Sequence, residues 1–112
     1  GMQVTVPLRM ELLPGLSPER IARALRDYYQ GEEQIAVHPL GQLPEDGFLA
    51  GNGNRCTDKM EIYLTASPDE KQMLLISLFD NLGKGASGSA IQNLNLMMGI
   101  PETTGLVLGG DR

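Results

Sequence analysis

A glycine-rich segment between two apolar runs has the residue pattern in this sequence most suggestive of chemistry. Within "DNLGKGASGS", Gly83, Gly85 and Gly88 match GxGxxG, the spacing with which a strand, a turn and a helix hold the pyrophosphate of a dinucleotide. That unit also needs a second strand that ends in an acidic residue. Glu102 lies about the right distance on, but it directly follows "MGIP", which leaves no room for the strand. We therefore do not expect a complete dinucleotide-binding unit.

The same segment could bind a smaller anion. Small residues at a helix start leave backbone N–H groups open, and Lys84 adds a positive charge there. The P-loop pattern is not matched, because Lys84 is followed by glycine rather than serine or threonine. The alternative is that the glycines permit a tight turn with close helix packing. The residues alone leave both interpretations open.

The second candidate segment is "GNGNRCTD", residues 51–58. Its arginine, Arg55, has a planar fork that suits a carboxylate or phosphate group, and Asn54 precedes it. The alternative, which the composition favours, is a turn whose asparagines tolerate a left-handed backbone.

Cys56 and His38 are the only thiol and the only imidazole. A nucleophile and base would have to lie within hydrogen-bond reach, whereas a lone cysteine is more often a packing residue. We predict no catalytic residue in this chain. We predict no metal site either, since no zinc-ligand spacing is present.

Composition restricts the class of protein. With 112 residues, 41% of them hydrophobic, residues 1–112 are predicted to form one domain. The net charge of -5 argues against nucleic acid or an anionic membrane as a partner. A single cysteine cannot form an internal disulfide, and no apolar run of about eighteen residues is present. We expect a cytoplasmic protein.

The elements that must position these residues follow from hydrophobic periodicity. Alternation predicts strands from Met2 and over 59–66, the nearly all-apolar run over 71–79 predicts another, and 34–40 is a short strand candidate. The runs 59–66 and 71–79 are predicted to form a hairpin. Ser17 and Pro18 predict the start of a helix that stops at Gly31. A second helix is predicted over 86–98. The predicted apolar faces are Ile21, Ala24, Leu25, Tyr28 and Tyr29 in the first helix, and Ala90, Ile91, Leu94, Met97 and Met98 in the second.

The order β-α-β-β-β-α predicts an α+β domain with a mixed, mainly antiparallel sheet and helices packed on one face. The nearly all-apolar run "KQMLLISLF" is predicted to be a central strand. Two helices would not fully cover such a sheet, so we expect a homo-oligomer that associates through it.

Four stretches together resemble the carboxy-terminal part of the N-acetyl-gamma-glutamyl-phosphate reductases. They are "GMQVTVPL", "GNGNRC", "FDNLGKGASGSAIQNLNLMMGI" and "PETTGL". A shorter form of the third recurs in the related aspartate-semialdehyde dehydrogenases. The resemblance implies a fold like the carboxy-terminal domain of semialdehyde dehydrogenases. It also implies that a nucleotide-binding domain, a cysteine nucleophile and a histidine precede Gly1.

For function, the resemblance implies part of an NADPH-dependent reductive dephosphorylation in arginine biosynthesis. In that reaction a thiolate displaces phosphate from an acyl phosphate, and hydride reduces the thioester to the semialdehyde. This chain would supply the substrate and oligomerisation half, inactive alone and binding no NADP(H) by itself. Cys56 and His38 match neither catalytic motif and inherit no role. The residues implied to lie at the cofactor are Lys84, Gly85, Ala86, Ser89 and Gln92, and those at the substrate are Asn54 and Arg55.

A hypothesis of a different class is a free-standing, non-enzymatic domain that binds a small anion or self-associates. The length of the chain and the missing nucleophile motif keep this hypothesis open.

Overall fold

The computed structural model describes residues 1–109. Four strands and two longer helices follow one another along the chain in the predicted order, β-α-β-β-β-α. They are β1 (Met2–Arg9), α1 (Pro18–Tyr28), β2 (Ile35–Val37), β3 (Met60–Ala66), β4 (Gln72–Phe79) and α2 (Gly88–Met98). A short 3-10 turn at Met10–Leu12 follows β1, and one turn of π-helix at Gly83–Ser87 precedes α2. The predicted α+β class is confirmed. None of the helices in residues 1–109 has the length and apolar character to cross a membrane.

The four strands form one mixed sheet in the order β1-β4-β3-β2. β4 lies antiparallel to both β1 and β3, whereas β2 lies parallel to β3. The antiparallel pair β3 and β4 is the predicted hairpin, and "KQMLLISLF" provides the central strand β4, as predicted. Pro7 lies in β1 at the edge of the sheet, where the missing N–H of proline is tolerated.

One face of the sheet packs against α1. Leu64 and Met73 are almost fully buried there together with Ala22 of α1. The helix begins as the sequence predicts, because the Ser17 hydroxyl accepts a hydrogen bond from the backbone N–H of Arg20 at 3.2 Å.

The predicted apolar stripe of α1 was wrong at two positions. Ala24 is exposed and Tyr28 is 77% exposed, whereas Ala22, absent from the predicted stripe, is buried in the core. The packed side of the helix is thus rotated toward Ala22, because a small side chain lets α1 approach the sheet closely.

The opposite face of the sheet is covered by the long segment between β2 and β3. Leu49 of this segment packs against Tyr63, Ile76 and Leu78. The strand predicted over 34–40 extends only over Ile35–Val37, after which the chain turns away to make this cover.

α2 begins at Gly88 rather than residue 86 and ends at Gly99, which has a left-handed backbone (φ 68°). Its predicted apolar face points outward: Leu94 is 53% exposed and Met97 is 85% exposed. The buried side chain of the helix is the polar Asn95. The five predicted residues are thus on the solvent side of α2, and the helix does not use this face to pack on the sheet.

Hydrogen bonds, rather than apolar contacts, hold α2 and the segment after it. The Asn95 side-chain amide donates to the carbonyls of Glu102 and Thr104, both at 2.9 Å. Further on, Val107 donates its backbone N–H to the Asp58 carboxylate at 2.8 Å and accepts from the Asp58 N–H at 2.6 Å. These bonds fold residues 102–107 back against the start of β3.

Candidate functional site

The two segments predicted to carry sites lie side by side, with Asp80 next to both. Its carboxylate accepts a hydrogen bond from the backbone N–H of Gly83 at 2.9 Å. This bond is the largest cause that lowers the pKa of Asp80; desolvation opposes it, and the backbone N–H of Cys56 lowers the pKa further. Loop 51–58 and the glycine-rich turn therefore form one surface.

Close packing explains the glycines of the GxGxxG pattern. A Cβ at Gly83 would overlap the carbonyl oxygen of Thr57, and a Cβ at Gly88 would overlap the carboxylate of Asp58. A Cβ at Gly85 would lie 3.1 Å from the ring of Phe79. The glycines thus let the turn approach loop 51–58 and the end of β4, which agrees with the close-packing interpretation.

The turn's own hydrogen bonds use its backbone N–H groups. Gly83 donates to the Asp80 carboxylate, Gly85 to the Asp80 carbonyl at 2.9 Å and Ser87 to the Leu82 carbonyl at 3.0 Å. These groups are consequently not aimed at an external pyrophosphate. The turn alone therefore does not fit the phosphates of NADP(H). The place where a phosphate would accept a bond from the Gly83 N–H is taken by the Asp80 carboxylate.

Lys84 is engaged inside the chain. Its ammonium donates to the side-chain oxygens of Gln34 and Gln92, each at 2.8 Å, and Gln92 in turn donates to Glu102 at 3.0 Å. Burial lowers the pKa of Lys84, opposed by the carboxylates of Glu102, Asp58 and Glu32, in that order.

The five positions predicted near the cofactor form one cluster but differ in exposure. Gly85 and Ala86 are exposed, whereas Lys84, Ser89 and Gln92 are half-buried. Ser89 donates its hydroxyl to the carbonyl of Lys84. Their contact with a cofactor stays a prediction.

A cavity of about 350 Å³ borders the Lys84 network through Gln34 and Glu102. Glu32 and Glu33 also line it. Three acidic residues in the lining would repel a phosphate group, so this cavity does not provide a pyrophosphate site in place of the turn.

The two residues predicted at the substrate have different surroundings. Asn54 is buried, and its amide donates to the Glu61 carboxylate at 3.2 Å and to the Leu78 carbonyl at 3.0 Å. Arg55 is exposed, and the next residue, Cys56, has a left-handed backbone (φ 60°). Asn54 thus anchors the loop to the sheet, and Arg55 is its one charged side chain that is exposed to solvent.

His38 has a set of contacts that sequence reasoning missed. Its Nε2 lies 3.2 Å from the Glu61 carboxylate, and its ring stacks on Tyr63 with ring centroids 4.1 Å apart. Burial, followed by the charge and hydrogen bond of Glu61, raises the pKa of Tyr63. Glu61 therefore links the end of β2 to loop 51–58 by accepting from Asn54 as well.

A metal-binding group is not found in the part of the chain that the structure describes: no three His, Cys, Asp or Glu side chains in residues 1–109 are placed to hold an ion. His38 and Glu61 form a pair only. Their geometry fits a hydrogen bond that fixes the segment after β2.

Comparison with known proteins gives close relatives along almost the whole chain. It is 40% identical over 106 residues to N-acetyl-gamma-glutamyl-phosphate reductase 2 of Pseudomonas putida, which covers 94% of this chain and 34% of the relative. It is 42% identical over 110 residues to a protein of the same name from Nostoc sp., covering 95% of this chain and 34% of the relative. A protein of Arabidopsis thaliana named probable N-acetyl-gamma-glutamyl-phosphate reductase, chloroplastic, is 39% identical over 109 residues, covering 96% of this chain and 25% of the relative.

The chain spans about a third or less of the length of these curated relatives. No family model matches it. The resemblance on which the sequence argument depends is confirmed, and it extends from one end of the described fold to the other.

Proposed function

We propose that this chain, homologous to about a third of the N-acetyl-gamma-glutamyl-phosphate reductases, supplies the substrate-binding and oligomerisation part of such an enzyme. The observation that carries the proposal is the unequal coverage: 94% of this chain matches, but only 34% of the relative does. The reaction is the reduction of an acyl phosphate to N-acetylglutamate semialdehyde in arginine biosynthesis, located in the cytoplasm. The other two thirds of the machinery lies outside this sequence.

Arg55 is the residue that we propose binds substrate. It is exposed on a loop whose position is fixed by the hydrogen bonds of the buried Asn54 to the sheet and by the bond from the Asp58 N–H to the Val107 carbonyl. A guanidinium held at the rim of such a surface suits the phosphate or the carboxylate of an acyl phosphate substrate. Asn54 acts as the positioning residue of the pair, since both of its amide hydrogen bonds go to the sheet.

The exposed outer surface of the glycine-rich turn, Gly85 and Ala86, is proposed to face NADPH. The cofactor would supply hydride for the reduction of the substrate. Because the turn's own N–H groups are used internally, the phosphates and the adenosine must be held mainly by the missing part. The turn is stabilised by the hydrogen bonds from the Lys84 ammonium to Gln92 and from the Ser89 hydroxyl to the Lys84 carbonyl. For the same reason this chain alone would bind NADPH weakly at best.

Two apolar surfaces are proposed as contacts in the assembled protein. The outward face of α2, where Met97 is 85% exposed, would pack against the missing two thirds. The edge of the sheet, where Val4 and Val6 are 42% and 43% exposed, would pair with a second copy through a symmetric contact. Exposed apolar surfaces of this kind usually mark association sites.

The competing hypothesis of a free-standing anion-binding domain is less well supported. The helix start that would receive the anion is already capped by the Asp80 carboxylate, which would repel an incoming negative charge.

A chimaera tests the proposal. In the Pseudomonas putida reductase, this chain replaces the matching third, and the product is tested for growth of an arginine auxotroph and for NADP-dependent oxidation of the semialdehyde in the presence of phosphate. We expect activity from the chimaera and none from this chain alone. An inactive chimaera that folds and binds NADP(H) would contradict the assignment. Turnover by the isolated chain, abolished by Cys56→Ser, would contradict its inactivity alone.

Arginine variants of the same chimaera test the substrate contact. Arg55→Gln should raise the KM for the phosphorylated substrate by about tenfold or more, as expected for loss of one charge-assisted bond. Arg20→Gln is the matched control, since Arg20 is also exposed but donates to the Gly15 carbonyl. An equal KM in the two variants would show that Arg55 does not contact substrate.

A further inference from the structure

A second concave surface lies between the carboxyl-terminal half of α1 and β2. Its volume is about 380 Å³. The residues that line it are Arg23, Arg26, Asp27, Tyr29, Gln30 and Val37. It shares no residue with the surface formed by loop 51–58 and the glycine-rich turn.

Helical spacing places the donors of this cavity together. Arg23 and Arg26 are three residues apart in α1, so their side chains lie on one face of the helix, and Gln30, in the turn just after it, lines the same cavity. Together they offer two guanidinium forks and one amide along a single wall.

The side chains of the two arginines make no hydrogen bond or ion pair within residues 1–109. In this they differ from Arg20, which donates to the Gly15 carbonyl at 2.7 Å, and from Arg9, which pairs with Glu11. In a chain of net charge -5, two adjacent unpaired cations at a concave surface form a local positive site against the overall charge.

We infer that this cavity binds a small monoanion, with a carboxylate or phosphate group on Arg23 and Arg26 and a short apolar part against Tyr29 and Val37. The planar fork of arginine matches either group through two parallel N–H bonds. Tyr29 and Val37 both pack at the margin of the main core, so they supply a fixed apolar wall. Asp27 lines the same cavity and opposes a second negative charge on the ligand.

Titration of the ¹⁵N-labelled chain, followed by backbone amide shifts at constant ionic strength, tests the site. The probes are butyrate, inorganic phosphate and the neutral isostere butyramide. We expect saturable shifts over residues 23–30 and 35–37 with butyrate or phosphate, and none with butyramide. Saturation by butyrate alone identifies a carboxylate ligand, and saturation by phosphate alone identifies a phosphate ligand. No saturation by either up to about 50 mM, a range that includes the millimolar affinity of a site made from exposed ion pairs, would overturn the inference.

Variants separate a built site from general charge attraction. Arg23→Gln and Arg26→Gln should each weaken the affinity about fivefold, whereas Arg20→Gln, on the same helix, should change it less than about twofold. Asp27→Asn should tighten binding by removing the opposing carboxylate. An effect of Arg20→Gln as large as that of Arg23→Gln would overturn the inference, because the anion would then respond only to the net charge of the chain.

Discussion

The two helices are of equal length, eleven residues each, but they are held in opposite ways. α1 buries Ala22 in the main core and packs Leu25 beside it. α2 exposes Leu94 and Met97 and buries Asn95. One helix is stabilised by apolar contact with its own sheet, and the other by hydrogen bonds and by the close approach of glycines.

The difference teaches what an amphipathic pattern does and does not determine. Apolar residues at helical spacing indicate that a face is buried against something, and in α1 that something is the sheet of the same chain. In α2 the same kind of pattern faces outward, while Asn95 donates to the segment after the helix and Gly88 lies against Asp58 of loop 51–58. A helix of this second kind is suited to a contact that the chain itself does not provide.

The largest expected effect is a loss of stability when the core beneath α1 is truncated. Leu64, which is 0% exposed, packs against α1. Leu64→Ala should lower the free energy of unfolding by about 3 kcal/mol, from lost burial and the cavity left behind. Urea unfolding at low protein concentration measures the change. Leu94→Ala on α2 is the control and should cost less than about 0.5 kcal/mol. Equal costs for the two variants would mean that the α2 face is buried within the chain after all.

The next effect tests the polar anchoring of α2. Asn95→Ala removes the donor to the carbonyls of Glu102 and Thr104 and should cost about 2 kcal/mol, because two hydrogen bonds made by a buried amide are lost. Asn93, exposed on the same helix, provides the control variant Asn93→Ala, which should leave stability nearly unchanged. Amide exchange over residues 102–107 should become faster in the first variant only. Unchanged exchange there would show that the segment is held by other contacts.

Much of the fold could be predicted, because its signals are local. The alternation over 59–66 and the nearly all-apolar run over 71–79 predict the β3–β4 hairpin, and Ser17 with Pro18 predicts the start of α1; both are as expected. The exposure of Tyr28 and the burial of Ala22 could not be predicted. Which side of α1 faces the sheet depends on how the helix is rotated against the sheet, and that is a tertiary contact.

The two candidate segments could be found in the sequence from glycine and arginine chemistry, and their binding of ligands stays a prediction. That the segments lie against each other could not be found, because the contact joins Thr57 and Asp58 to glycines that are distant in sequence, Gly83 and Gly88. Asn54 was predicted as a substrate contact, and that role stays a prediction. Its two bonds to the sheet depend on residues seven and twenty-four positions away, which no local pattern indicates.

A smaller effect concerns the carboxylate that joins the two site segments. The pKa of Asp80 is lowered from 3.8 mainly by the Gly83 N–H, so its contribution to stability is present above about pH 3.8 and is lost as the pH falls through the folded-state value. In Asp80→Asn this part of the acid dependence should disappear, and the amides of Cys56 and Gly83 should exchange faster.

Asp69→Asn is the matched control for that variant. The pKa of Asp69 is also lowered, mainly by the Ser67 hydroxyl, so this variant should also flatten the acid dependence. It lies in the β3–β4 turn and should leave the exchange of Cys56 and Gly83 unchanged. Faster exchange of these amides in both variants would mean that Asp80 affects them through the overall stability of the fold and not through a local hydrogen bond.

The smallest expected effect on the stability of the isolated chain comes from a substitution on the outward face of α2, and it distinguishes the two helices most clearly. Leu94→Gln replaces an apolar side chain that is 53% exposed on α2, so the free energy of unfolding should change by less than about 0.5 kcal/mol. Leu25→Gln, on the packed side of α1, should cost about 2 kcal/mol or more, because a polar group enters the margin of the core.

In the reductase chimaera the ranking of the α2 variants should change. Leu94→Gln should weaken the contact with the remaining two thirds and lower activity or heat stability there, while Asn93→Gln should not. If Leu94→Gln is neutral in both proteins, the outward face of α2 is not a contact surface, and the proposed packing of this helix against the missing part is wrong.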